Sequence, residues 1–256
     1  MNTAGFEAEE EIRKRLKELA DRSYNKGQYT FTPFLGLSEL SVFRYDENNL
    51  RYASPSAYGG YDDAERMVVR FGDKDELGYE ERFPIDVLEI SPLAEKFADD
   101  LSHRDFLGAL MSLGIERNLL GDIIVSGKKA YLFCLDRISD YIIENLISVR
   151  HTSVSVSHGD TKSVSELKRS ELKEKVIQVA SPRCDAVIAK FYNMSRNDAS
   201  ECFRQGKVFI NGRLTESTSV NLKDKDAVTV RGYGRFTIAR TGELTKKGKI
   251  NLLIEY

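Results

Sequence analysis

Apolar residues recur along this chain with a helical period in some stretches and a two-residue period in others, and the switches between the two predict its elements. Over residues 7–24, with Phe6 just ahead, Ile12, Leu16, Leu19 and Ala20 form one stripe. Acidic groups crowd the first turn, as a helix N-terminus favours. A short helical piece at Ser38–Phe43 follows a turn at Pro33, and Met67–Phe71 reads as a strand. Between them, Tyr58-Gly59-Gly60-Tyr61-Asp62-Asp63-Ala64-Glu65-Arg66 matches neither the dinucleotide-binding glycine pattern nor a P-loop. The expectation is a turn that packs onto the next domain.

Residues 83–157 predict a strand at Ile85–Ile90, a helix at Ser102–Leu113, and strands at Gly121–Val125 and Ala130–Leu135. A helix at Asp136–Ile147, capped by Asp136, and a strand at Arg150–Val156 complete the series. This β-α-β-β-α-β order is the ferredoxin-like arrangement that RNA-recognition folds share. The RNP consensus is absent. Tyr131 and Phe133 fall on one face of the third strand, where they could stack bases, although such a pair is more often core or interface. Residues 158–175 are polar and predict a linker or solvated tip, and Val176–Ala180 a short strand.

The C-terminal stretch carries the most specific pattern. Cys184, Val187, Ile188 and Phe191 lie on one helix face, Ser195 stands at an N-cap position, and Asp198 follows in the place of a capping box. Ala199, Cys202 and Phe203 give a second apolar face that Gly206 ends. Lys207–Ile210 alternates into Asn211-Gly212, a hairpin signal, and two strands at Phe236–Arg240 and Ile250–Tyr256 flank the basic loop 245–249. Arg183, Arg196, Arg204, Lys207 and Arg213 are set between these elements.

Charge sharpens the picture. The net charge of −2 divides into 14 basic and 8 acidic residues in 181–256, or +6, and 24 basic against 32 acidic elsewhere, or −8. A basic C-terminal third on an acidic body points to a polyanion at one end of the sequence. With 41% hydrophobic and 10% aromatic residues the chain is that of a folded protein of two or three small domains. No apolar run reaches the ~18 residues of a membrane span, and no secretory signal pattern is present, so a cytoplasmic location is expected. Cys134, Cys184 and Cys202 lack metal or redox spacing and are expected to be buried and reduced.

At Arg183-Cys184-Asp185, Ser195-Arg196, Ala199, Gly206-Lys207-Val208, Asn211-Gly212 and Asp226 the segment resembles an S4 domain, an RNA-binding module, with Cys184 where leucine is usual. The ending Arg231-Gly232-Tyr233-Gly234-Arg235-Phe236, the Gly-Gly-Tyr stretch and the His103-Arg104-Asp105 helix are similar to the YlmH family, which carries this domain last. The resemblance implies an α+β protein: an N-terminal α/β region (1–80), an RRM-like βαββαβ domain (81–160), a linker (161–180) and an S4-type (αL) domain (181–256). It implies binding to rRNA and peptidyl-tRNA on the large ribosomal subunit during ribosome-associated quality control, with nascent-chain tailing, quality-control protein partners and an association with cell division. Arg183, Arg196, Lys207, Arg213 and Arg235 would supply charge, and Ser195 and Asn211 would add hydrogen bonds or hold loops. Asp185 would orient an arginine.

Catalysis is not expected. Kinase, serine-hydrolase and zinc-protease signatures are missing, as are the glycine-rich loop of methyltransferases, the G-R-L-D segment of pseudouridine synthases and the paired motifs of tyrosyl-tRNA synthetases. Neither a cofactor nor a metal is implied. The alternatives are a pseudouridine-synthase-like RNA-modifying enzyme with an unrecognised site in residues 1–157, and a cell-division interaction protein.

Overall fold

The computed structural model describes residues 3–62, 64–245 and 248–256, without the side chains of residues 3–6 and 168–171. The expected contribution of Phe6 to the first helix stripe, Asp63 of the glycine loop, and Lys246 and Lys247 of the basic loop lie outside the described residues. The chain divides into two compact units, Met1–Glu39 with Asp46–Ser170 and Leu40–Tyr45 with Glu171–Tyr256.

The first unit begins with helix α1 (Thr3–Lys26), whose Leu16 and Ala20 are buried as the stripe requires. Strands β1 (Thr30–Phe31), β2 (Ser56–Tyr58) and β3 (Val68–Phe71) form an antiparallel sheet in the order β1-β3-β2. Helix α2 (Leu37–Asp46) lies between β1 and β2 in the chain and supplies residues to both units. A single turn, α3 (Lys74–Leu77), is capped by Asp73, whose Oδ1 accepts from the Glu76 amide at 2.9 Å.

The middle segment is a mixed α+β layer. Strands β4 (Ile85–Pro92), β5 (Leu120–Ser126), β6 (Lys129–Leu135), β7 (Ser148–Val149) and β8 (Thr152–His158) pair antiparallel in the order β5-β6-β4-β8-β7. Helices α4 (His103–Ser112) and α5 (Ser139–Asn145) intervene in sequence, which realises the βαββαβ pattern. Ser102 caps α4, and its amide donates to Asp105 Oδ2 at 2.8 Å. Asp136 does not cap α5: it starts a 3-10 turn, Asp136–Ile138, because its amide is held by the Pro84 carbonyl at 3.1 Å. Within the expected linker at 161–180, residues 161–171 form helix α6 (Thr161–Glu171), while the short strand expected at Val176–Ala180 is β9 (Glu174–Val179). Among the described side chains of α6, Val164 is buried and Leu167 packs against the same core, too little apolar signal for a periodicity reading to detect.

One face of the middle sheet is buried; the other is covered over Val87, Phe133 and Leu135 and open towards Lys129, Ser155 and Ser157. Leu88, Ile90, Leu132 and Cys134 pack with Phe106, Leu110 and Ile142, while Val87, Phe133 and Leu135 pack with Phe34, Tyr61, Ala64 and Val164. Phe133 is fully buried, its ring stacked at 5.0 Å on Tyr61, so it is not a base-stacking surface. The agent of this closure is the glycine loop. Gly60 adopts φ +100°, and a Cβ there would fall 2.2 Å from the Phe133 ring, so only glycine fits. Asp122 then pins the loop: its Oδ2 accepts from the Tyr61 hydroxyl at 2.9 Å and the Glu65 amide at 2.7 Å, and its Oδ1 from the Arg66 amide at 3.2 Å. The Arg66 guanidinium reaches the Leu120, Phe34 and Arg117 carbonyls at 2.9, 3.0 and 3.3 Å. The turn that the sequence expects to pack is thus a polar clamp on the sheet.

The second unit is a sheet in the order β11-β10-β12-β13-β14-β9 beneath two helices. Helices α7 (Cys184–Phe191) and α8 (Arg196–Arg204) precede β10 (Val208–Ile210), β11 (Arg213–Leu214), β12 (Ala227–Val230), β13 (Gly234–Leu244) and β14 (Ile250–Glu255). Val187, Ile188, Ala199, Cys202 and Phe203 of the helices share one core with Val208, Val228, Val230, Phe236, Leu252 and Ile177. Strand β9 pairs with β14 from Glu174 to Val179, so this sheet starts before residue 181.

Removing the Asp122 carboxylate takes one shared acceptor from three donors, those of Tyr61 and Arg66 part-buried and that of Glu65 exposed. Asp122→Ala is expected to lower unfolding free energy by about 2–5 kcal/mol in urea titration. A loss below about 0.5 kcal/mol would show that the clamp does not hold the sheet face.

Candidate nucleic-acid interface

The interface is built around a carboxylate the fold cannot expose. Asp185 sits in the first turn of α7 with only 5% of its side chain accessible. Its Oδ1 accepts from Arg183 Nε at 3.2 Å and from the Ala186 amide at 2.8 Å, and its Oδ2 from Arg183 Nη2 at 3.1 Å and Arg196 Nη2 at 2.5 Å. Burial alone would raise the Asp185 pKa, but the hydrogen bonds and charges of Arg183 and Arg196 hold it below the ordinary carboxylate value. Both arginines remain accessible, 41% for Arg183 and 56% for Arg196. One carboxylate neutralises half of their combined charge, so the group presents a net cation with planar N–H donors.

The second helix places Arg196 by its cap. Ser195 Oγ accepts from the Asp198 amide at 3.1 Å, and Asp198 Oδ2 accepts from the Ser195 hydroxyl at 2.7 Å and the Ser195 amide at 3.3 Å. Aspartate thus fills the capping-box place that glutamate usually holds. Ser195 is engaged in this cap, so its part is to set the helix start beside Asp185.

The remaining sequence-derived residues are distributed over the sheet. Asn211 holds the hairpin: at φ +51° its Nδ2 donates to Asp226 Oδ1 at 2.8 Å and its Oδ1 accepts from the Ala227 amide at 2.9 Å. Lys207 lies on the run into β10, where its carbonyl accepts from the Arg231 amide at 2.9 Å. Arg213, on β11, donates Nη2 to the Arg44 carbonyl at 2.9 Å and lies 5.7 Å from the Tyr45 ring centroid, both within the second unit. Arg235 is on β13, opposite Thr229 of β12. The structure therefore brings Arg183, Asp185, Ser195 and Arg196 together and puts Lys207, Asn211, Arg213 and Arg235 elsewhere on the sheet.

Two residues omitted from the sequence-derived site belong to the same turn as Arg235. Arg231 places its guanidinium 5.4 Å from the Phe209 ring centroid, and Tyr233 is 52% exposed with its ring 5.5 Å from Tyr192. An exposed aromatic ring of this kind has the chemistry to stack an unpaired base. The Gly232-Tyr233-Gly234 spelling was the available signal, since positive φ at both glycines lifts the turn. The three cysteines are all buried, and burial pushes Cys134 and Cys184 up to about 12, so neither supplies a thiolate. Among the described residues no group of three His, Cys, Asp or Glu side chains is placed to hold a metal, and no helix is long and apolar enough to cross a membrane.

Comparison with known proteins adds a second location. A family model described as "Putative RNA-binding domain in YlmH" matches residues 79–163. The chain is 28% identical over 197 residues to "Ribosome-associated protein quality control protein P2" of Bacillus subtilis (strain 168), covering 77% of this chain and 76% of that protein. A solved structure titled "Cell division protein ylmH from Streptococcus pneumoniae" is similar with a TM-score of 0.49 at 20% identity, over 61% of this chain and 93% of that one. The matched domain contains none of the eight residues chosen from the sequence. Residues 79–163 hold 9 Lys and Arg against 14 Asp and Glu, a net charge of −5, which is why charge counting pointed away from them.

Two measurements follow. Arg196→Ala is expected to weaken binding to folded RNA without unfolding the chain, and to reduce the slope of log affinity against log salt by about 1. Unchanged affinity and slope with intact circular dichroism would remove Arg196 from the interface. Because the folded Asp185 pKa lies below its unfolded value, its stabilisation is complete above about pH 4 and is lost as pH falls through the folded value. The stability gap between wild type and Asp185→Asn should therefore narrow as urea titrations move from pH 6 towards pH 3, and a gap that widened would contradict the pairing.

Proposed function

We propose that this chain, related to the YlmH proteins through its matched RNA-binding domain and its curated relative, is a non-catalytic RNA-binding protein of the large ribosomal subunit. Its C-terminal unit acts as an S4-type module that contacts rRNA and peptidyl-tRNA, in rescue of stalled ribosomes and tailing of their nascent chains. The observation that carries this reading is the Arg183–Asp185–Arg196 group, two accessible guanidiniums fixed on one buried carboxylate within a segment of charge +6. Recognition of this kind reads RNA shape through phosphates and 2′-hydroxyls, and needs neither a cofactor nor an activated nucleophile. Arg183, Arg196, Lys207, Arg213 and Arg235 supply the charge, while Asp185, Ser195 and Asn211 position it. The relative's printed name, which places that protein in ribosome-associated quality control, supports the same setting for this chain.

The full chain should co-sediment with large subunits, with log affinity falling against log salt at a slope of about −4 if five cations meet phosphates. An association that survives RNase and shows no salt dependence would favour a protein-interaction role instead.

A further inference from the structure

Within the first unit a cavity of about 400 Å³ opens between β4 and the β1-β3-β2 sheet, lined by Tyr58, Arg70, Arg82, Phe83, Asp86 and Thr161 among others. Its walls are of the kind that hold a nucleotide. Tyr58 and Phe83 present aromatic rings 5.5 Å apart and tilted by 59°, and Tyr58 is 39% exposed. Arg70 crosses the floor between Phe83 and Tyr29, with its guanidinium carbon 4.8 and 5.1 Å from the two ring centroids. Its Nη1 is held by the Glu81 carbonyl at 2.8 Å, whereas its Nε is buried with no acceptor among the described residues. Arg82 is 76% exposed, its Nη2 reaching Asp86 and Asp136 only at 4.0 and 3.9 Å, so it is free to turn towards a phosphate. Asp86, 19% exposed, offers an acceptor for an exocyclic amine.

We infer that this cavity is a single-nucleotide pocket that takes an unpaired base of an RNA strand, stacked on Tyr58, with its phosphate against Arg82. The inference rests on the reading of the chain as an RNA-binding protein, and it gives the acidic RNA-binding domain a mode of contact that does not depend on net charge. The glycine loop closes the sheet face over Phe133, so base contact is displaced from the open face to this cavity.

The test uses the full chain, with ribonucleoside 5′-monophosphates and a single-stranded tetranucleotide as probes. Binding is followed by isothermal titration, and binding of a folded RNA is measured in parallel. Mononucleotides should bind, and the tetranucleotide should displace them. Tyr58→Ala should weaken both by roughly 5- to 150-fold, as loss of one stacked base does, while Tyr58→Phe retains affinity. Arg82→Gln should weaken the monophosphates but not the matching uncharged nucleosides. Arg196→Ala should affect folded RNA alone. Absence of mononucleotide and tetranucleotide binding in a chain that still binds folded RNA overturns the pocket and leaves the proposed function standing. A chain that binds no folded RNA at all overturns the proposed function. Equal affinity in wild type and Tyr58→Ala, or a tetranucleotide that cannot displace the mononucleotide, overturns the assignment to an RNA strand.

Discussion

A carboxylate with 5% accessibility must keep its partners, and Asp185 has two that also remain accessible to solvent. Breaking either pair would leave a buried charge poorly compensated, so the protein holds Arg183 and Arg196 in one geometry before any ligand arrives. The same pairs join the start of α7 to the start of α8, and those helices supply Val187, Ile188, Ala199, Cys202 and Phe203 to the core of the second unit. Packing of that unit and presentation of its donors thus share one constraint. Pre-organised guanidiniums lose less entropy on binding than flexible lysines would, which suits recognition of a rigid RNA shape.

In the first unit the corresponding constraint is Asp122. It ties the Gly59-Gly60-Tyr61 turn to β5, and through Tyr61 and Gly60 it covers Phe133 on its face of the sheet. With Phe133 buried under Tyr61, this ring cannot stack a base as the open sheet of an RNA-recognition fold would. At the rim of the sheet, Tyr58, Phe83, Arg70 and Arg82 surround a cavity.

Much of this was legible in the chain itself. The helix faces, the Ser195–Asp198 cap and the Asn211-Gly212 hairpin depend on neighbours a few residues apart, and the structure realises each of them. The pairing of Asp185 with an arginine was implied by the resemblance, and the structure adds Arg196 to Arg183 as a second partner. Three features were not legible. Helix α6 reads as linker because its described apolar contacts come from Val164 and Leu167 among polar and charged neighbours. The occlusion of Phe133 depends on Gly60, 73 residues earlier in the chain, a pairing that periodicity cannot express. The matched domain escaped charge counting because its net charge of −5 hides Arg82, which lines one cavity together with Arg70 of β3.

The central claim is that RNA meets the chain at the Arg183–Asp185–Arg196 group. Ultraviolet crosslinking of the full chain to ribosomes, followed by mass spectrometry of the nucleotide-bearing peptides, tests it most directly. The account expects crosslinked peptides from the stretch containing Arg183 and Arg196 and from the turn containing Tyr233. Crosslinks confined to α1 and the β1-β3-β2 sheet, with none from residues 181–256, would contradict it.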